Sequence, residues 1–236
     1  MSNTTVNNNK RQRNHSNSTR PRVQGSNYRN RNNARPAKKV STLDPSLLVK
    51  DADHSAAEKV FRSDRLVNEL PINTRLKQAL ALKGYKRPTE IQDRTLETLL
   101  DGRDLLGIAQ TGTGKTGAFL IPIIEHLLHN RINPYALVVV PTRELALQVE
   151  EEFKSMAKGL GLYSSCFIGG TNINRDLQNL RRSSHVVIAT PGRLLDLSDR
   201  GAIKLGKFNT LVLDEFDRML DMGFIHDVNR ILEGMK

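Results

Sequence analysis

The sequence predicts an α/β fold with a parallel, doubly wound sheet, preceded by a basic tail that stays disordered. Three observations predict it. From Leu70 onward, short apolar runs alternate with amphipathic stretches of helical period. A glycine-rich turn over residues 109–116 separates one apolar run from the helix that follows it. A later apolar run delivers three carboxylates, Asp214, Glu215 and Asp217, at its carboxyl end.

The elements follow in order. Residues 1–40 hold 10 Lys/Arg, 10 Asn and no acidic residue, with almost nothing apolar to offset the entropy of ordering them. The chain as a whole has 236 residues and a net charge of +11, yet residues 41–236 are nearly neutral, with 26 basic and 25 acidic groups. This distribution excludes a uniformly basic wrapper of nucleic acid. Two readings of the tail stand side by side: a solubilising extension, and an arm that holds RNA phosphates electrostatically. Residues 41–66 read as a mixed-charge connector with a short helix near 56–61.

Asn73 is placed to cap a helix running to about Lys83 and closed by Gly84. Thr89 caps a second helix over 90–100, stopped by Asp101 and Gly102. Strands are then expected over 105–108, 136–140, 164–168, 185–189 and 210–213. The helices between them are expected over 115–128, 144–157, 174–182 and 192–197, with a last one from about Ile225. Five strands separated by helices imply a parallel sheet, with ligands at the carboxyl ends of its strands. The single cysteine, Cys166, excludes an internal disulfide and a cysteine-based zinc site, and its strand setting predicts a buried thiol. The absence of an apolar leader or spanning segment predicts a soluble, cytoplasmic protein.

The strongest chemical signal is Ala109, Gln110, Thr111, Gly112, Thr113, Gly114, Lys115 and Thr116. Glycines let backbone N–H groups close around phosphate oxygens, and a helix N-terminus adds partial positive charge. Lys115 reaches the β- and γ-phosphates, and the Thr116 hydroxyl is a ligand for Mg²⁺. A chance occurrence of this pattern has odds on the order of 10⁻⁴. Asp214, at the end of its strand, is the matching carboxylate for Mg²⁺, and Glu215 is placed to orient or deprotonate an attacking water.

Taken together, these residues resemble the DEAD-box RNA helicases over about residues 67–234. The matching segments are Gly84 to Gln92, the glycine-rich loop, Pro141 to Ala146, Gly169 with Gly170, Thr190 to Arg193, and Asp214 to Asp217. Residues 218–224 are similar to the bacterial RhlE-like branch. The resemblance implies a RecA-like P-loop NTPase domain that uses ATP and Mg²⁺ and acts on RNA, single-stranded or as a short duplex. It implies a nucleotide-reading Q motif within 67–92, where Arg87 and Gln92 would contact the nucleotide and Gln92 would read adenine. Residues 93–236 would be an incomplete ATP-binding domain, with Lys115, Asp214 and Glu215 catalytic. Pro141, Thr142, Arg143, Gly169, Gly170, Thr190, Pro191, Gly192 and Arg193 would form the RNA face.

Three departures from the family stand out. Val67 occupies the position of an aromatic residue that stacks on adenine, and Phe216 replaces an alanine between carboxylates. No Ser-Ala-Thr motif or second RecA-like domain appears before Lys236, so the sheet is expected to be truncated before its last strands. In the family that motif's strand lies between the P-loop strand and the Asp-Glu strand. The full enzyme is expected to couple ATP hydrolysis to local RNA unwinding, with ribosomal or RNA-decay assemblies as expected partners. The rival readings are a non-enzymatic RNA-binding or annealing protein driven by the basic tail, and a DNA helicase.

Overall fold

A computed structural model describes Phe61 and residues 63–130 and 135–235. The tail, most of the connector and all of the expected 56–61 helix except Phe61 lie outside the described residues. A 3-10 turn at Val67–Glu69 leads into α1 (Thr74–Leu82). Asn73 caps α1, its Oδ1 accepting from the Arg75 N–H at 2.9 Å. Thr89 precedes α2 (Glu90–Leu100), whose third residue, Gln92, folds back so that Oε1 accepts from the Thr89 N–H at 3.0 Å. Then follow α3 (Lys115–His129), β1 (Ala136–Val139), α4 (Arg143–Met156), β2 (Ser164–Phe167), α5 (Ile173–Asn179) and β3 (Val186–Ala189). The described chain closes with α6 (Pro191–Asp199), a 3-10 turn at Leu205–Lys207, β4 (Thr210–Leu213), α7 (Phe216–Asp221) and α8 (Ile225–Gly234).

The four strands pair in parallel in the order β2-β3-β1-β4. Alternate side chains of the central strands serve two cores. Ala136, Val138 and Val140 pack with α1 to α4, whereas Leu137 and Val139 pack with α6, Met219 of α7 and α8. Helices therefore cover both faces, as buried parallel strands require. No helix among the described residues is long and apolar enough to cross a membrane.

The expected strand over 105–108 does not form, and the expected five-stranded sheet has four strands among the described residues. Leu106 and Ile108 are 89% and 93% exposed. An apolar run becomes a strand only when a neighbour takes its backbone donors and acceptors. β4 pairs with β1 on one side and is an open edge on the other, and its residues are only half-buried while those of β1 and β3 are fully buried. A second difference is α7, which the sequence reading did not anticipate behind the Asp-Glu segment. Cys166 sits on β2, and burial, aided by the negative charge of Glu150, pushes its thiol up to about 12. The residue is half-buried rather than buried as expected, and its raised thiol leaves little thiolate to react.

Candidate active site

The glycine-rich turn enters α3 through two left-handed residues, Gly112 at φ +83° and Gly114 at φ +94°. Thr113 braces the turn, its Oγ1 donating to the Gln110 carbonyl at 2.7 Å. Gly114 has a second constraint: a Cβ there would lie 2.7 Å from Thr89 Oγ1 and 2.8 Å from Gln92 Nε2. The following helical glycine, Gly117, is constrained in the same way, since a Cβ would lie 2.5 Å from Gln92 Nε2. Sequence reasoning missed Gly117. Its signal was present, because a glycine inside the first turn of a helix costs about 1 kcal/mol relative to alanine and calls for a packing reason.

Gln92 is 3% exposed and ties α2 to the turn, with Nε2 donating to the Gly114 carbonyl at 3.1 Å. One amide N–H and one oxygen lone pair remain for a nucleotide base. Arg87 is turned elsewhere: its guanidinium donates to the carbonyls of Ser63 and Asp64 at 2.7 and 2.9 Å. Val67 is 3% exposed and lies in the core with Leu70 and Leu96, so it presents no open face to a base.

Asp214 stands at the carboxyl end of β4, its N–H donating to the Val139 carbonyl at 3.0 Å. Burial raises its carboxyl above the ordinary aspartate range, and Lys115 pulls it back down. The ammonium of Lys115 therefore lies within electrostatic reach of the strand-end carboxylate. Glu215 is the one non-glycine residue with positive φ among the described residues, at +52°. Such a conformation costs about 1–3 kcal/mol and persists only where the surrounding structure holds it. Its Oε2 accepts from Arg218 at 3.1 Å. Phe216 is 37% exposed beside this turn.

Hard oxygen donors from Thr116 and Asp214 suit Mg²⁺, which keeps several waters and binds through few protein ligands plus phosphate. No group of three or more His, Cys, Asp or Glu side chains among the described residues could hold a metal without a substrate.

The loops after β1, β2 and β3 lie at the same carboxyl end. Thr142 caps α4, its Oγ1 accepting from the Leu145 N–H at 3.2 Å. Arg143 is exposed and lies across Gly170, where a Cβ would meet its guanidinium at 2.7 Å. The Gly169 N–H donates to Thr190 Oγ1 at 3.3 Å, joining the second and third loops, and Pro191 opens α6 with Gly192 exposed behind it. Arg193 does not face outward. It pairs with Asp176 on α5 and donates to Thr171 Oγ1 and to the Thr171 carbonyl, each at 2.8 Å. Its side chain holds the loop that contains Gly169 and Gly170 against α6.

A glycine turn at a helix N-terminus and a carboxylate at a strand's carboxyl end, on a parallel sheet, are the arrangement of nucleotide-binding α/β domains. The chain belongs to the DEAD/DEAH box helicase family, whose model matches residues 89–236. It is 44% identical over 167 residues to the ATP-dependent rRNA helicase RRP3 of Saccharomyces cerevisiae, covering 70% of this chain and 33% of that protein. It is 41% identical over 166 residues to the ATP-dependent RNA helicase CshA of Limosilactobacillus reuteri, again covering 70% and 33%. A DEAD box protein from Methanococcus jannaschii superimposes with a TM-score of 0.69 at 37% identity, covering 72% of this chain and 47% of that one. The chain thus spans about a third of the length of these curated relatives.

Proposed function

We propose that this chain binds ATP with Mg²⁺ and single-stranded RNA, and that it supplies one half of an ATP-dependent RNA helicase. The observation that carries the reading is the left-handed glycine turn that opens α3 at Lys115, with Asp214 at the end of β4 within the electrostatic reach of that ammonium. The turn from Ala109 to Thr116 holds the phosphates, Thr116 and Asp214 hold Mg²⁺, and Glu215 orients the attacking water. Bound Mg²⁺ neutralises charge that develops on the transferred phosphate. Gln92 reads adenine with the donor and acceptor it has left, so base recognition and P-loop position act through one side chain.

Thr142, Arg143, Gly169, Gly170, Thr190 and Gly192 form the RNA track, and Arg193 positions it from behind. A further strand, carrying the Ser-Ala-Thr motif, inserts between residues 105–108 and β4, and a second RecA-like domain closes over the nucleotide. The exposed Leu106 and Ile108 and the open edge of β4 support that insertion. Affiliation with the RhlE-like branch rests on residues 218–224 alone.

The test is Lys115→Ala in the full chain, read by equilibrium binding of a fluorescent ATP analogue with Mg²⁺. Nucleotide affinity is expected to fall at least about tenfold, the loss of one strong charge-assisted contact, while RNA binding persists. Unchanged nucleotide affinity would overturn the reading.

A further inference from the structure

The amino ends of the strands, opposite the site described above, carry a second charged feature. A cleft of about 310 Å³ opens between the loop before β3 and the loop before β4. Arg181, Arg182, Lys204 and Lys207 line it, and no acidic residue does. All four are exposed, and none of their side chains forms an ion pair among the described residues. Other exposed cations, Arg143, Lys158 and Arg175 among them, also form no ion pair among the described residues, but these four surround one concavity. Four uncompensated cations around one concavity repel one another, and an anion relieves that repulsion.

The floor is apolar, formed by Leu180, Val187 and Phe208, and Ser183 and Ser184 add hydroxyls at the rim. A neighbouring feature specifies which anion. Tyr163, just before β2, is 63% exposed. Its ring is stacked on His185, the residue after Ser184, with centroids 6.1 Å apart and planes at 28°. The backbone N–H of Tyr163 donates to His185 Nδ1 at 3.1 Å, which orients the imidazole beneath the ring. An exposed aromatic face near clustered cations is the kind of platform on which bases of a single strand stack while its phosphates are neutralised. An acidic peptide has no use for such a face.

We propose that this cleft and Tyr163 form a second binding site for single-stranded RNA, at the opposite end of the sheet from the loops that follow the strands. The proposal rests on the reading of the chain as an RNA-binding helicase half. Phosphates lie among the four cations and a base stacks on Tyr163. A strand held at both ends of the sheet is anchored outside the nucleotide-controlled track, which keeps substrate attached when that track releases it.

The test uses the full 236-residue chain and a labelled oligouridylate, with affinity followed against salt by fluorescence anisotropy. Replacing Arg181, Arg182, Lys204 and Lys207 together by Gln is expected to reduce the slope of log affinity against log salt by up to about 3, since each phosphate contact in a single strand contributes about 0.7. Tyr163→Ala is expected to weaken binding by about fivefold to a hundredfold with the slope unchanged. In the unsubstituted chain, photo-cross-links from 4-thiouridine are expected within residues 163–185. Unchanged slope and affinity in these variants, with an Arg143→Ala variant weakened, would overturn the second site and leave the proposed function standing. Binding of a polyglutamate chain that depends on the four cations, with oligouridylate binding independent of them, would also overturn it in favour of an acidic partner. Absence of oligouridylate binding by the unsubstituted chain would overturn the proposed function itself, and the second site with it.

Discussion

Arg193 and Asp176 form the most buried ion pair among the described residues, with side chains 9% and 7% exposed. Removing one partner leaves the other charged and desolvated, a cost of about 3–5 kcal/mol. Asp176→Ala is therefore expected to lower stability by that amount in urea unfolding, and replacing both partners by apolar residues of similar volume to recover most of it. Asp214 behaves in the opposite sense. Its carboxyl is raised by burial, so between the ordinary aspartate range and its raised value the folded chain binds more protons than the unfolded one, and stability falls as pH rises through that window. Asp214→Asn is expected to raise the unfolding midpoint at pH 7, with the difference vanishing below the ordinary aspartate range. A midpoint lowered at pH 7 would contradict the assignment of burial as the dominant influence. The sequence placed Asp214 and Arg193 by motif alone. That Arg193 faces inward depends on Asp176, seventeen positions away in the chain, which no local pattern reveals.

α2 and α3 meet through small residues. Gly114 and Gly117 leave the space that Gln92 fills, and Gln92 spans from the Thr89 N–H to the Gly114 carbonyl. Gly117→Ala separates two effects. Alanine favours the helix by about 1 kcal/mol, but its Cβ would press on Gln92 Nε2 and move the amide off the Gly114 carbonyl. The expected result is little change in thermal stability and a roughly twofold to tenfold loss of nucleotide affinity, the worth of one hydrogen bond, measured by calorimetric titration with Mg²⁺ and ATP. A similar link runs from α1 to α4, where Glu152 accepts from Lys83 and from the Tyr85 hydroxyl, the latter at 3.0 Å. Helix starts were legible where caps are local, as at Asn73 and Thr89 before α1 and α2, whereas Thr142, read only as part of the RNA face, turned out to cap α4. α7 was not, because its residues read as a functional segment and only its buried Met219 anchors it to the core.

At the scale of the whole molecule, the sheet is fully buried at its centre and open at β4. Amides of residues 105–108 donate no hydrogen bond to the sheet, whereas those of β1 are enclosed by partners on both sides. Hydrogen exchange is expected to be near the unprotected rate over 105–108 and slowed by several orders of magnitude over β1. Adding the proposed further strand in a longer chain is expected to bring 105–108 to the protection of β4. Equal protection of 105–108 and β1 in the 236-residue chain would refute the unpaired state. The same openness makes slow ATP turnover the expected behaviour of this chain alone, checked by phosphate release with and without RNA.

By itself the sequence determined the fold class, the caps at Asn73 and Thr89, the glycine-rich turn before α3 and the carboxylate at the end of β4, because each depends on neighbouring residues or on a short period. Tertiary structure alone decided that residues 105–108 stay unpaired, that Val67 is core, that Gln92 braces the P-loop and that Arg193 faces inward. These outcomes depend on what a distant segment brings alongside. A strand needs a partner for its backbone, and a buried charge needs its counter-charge.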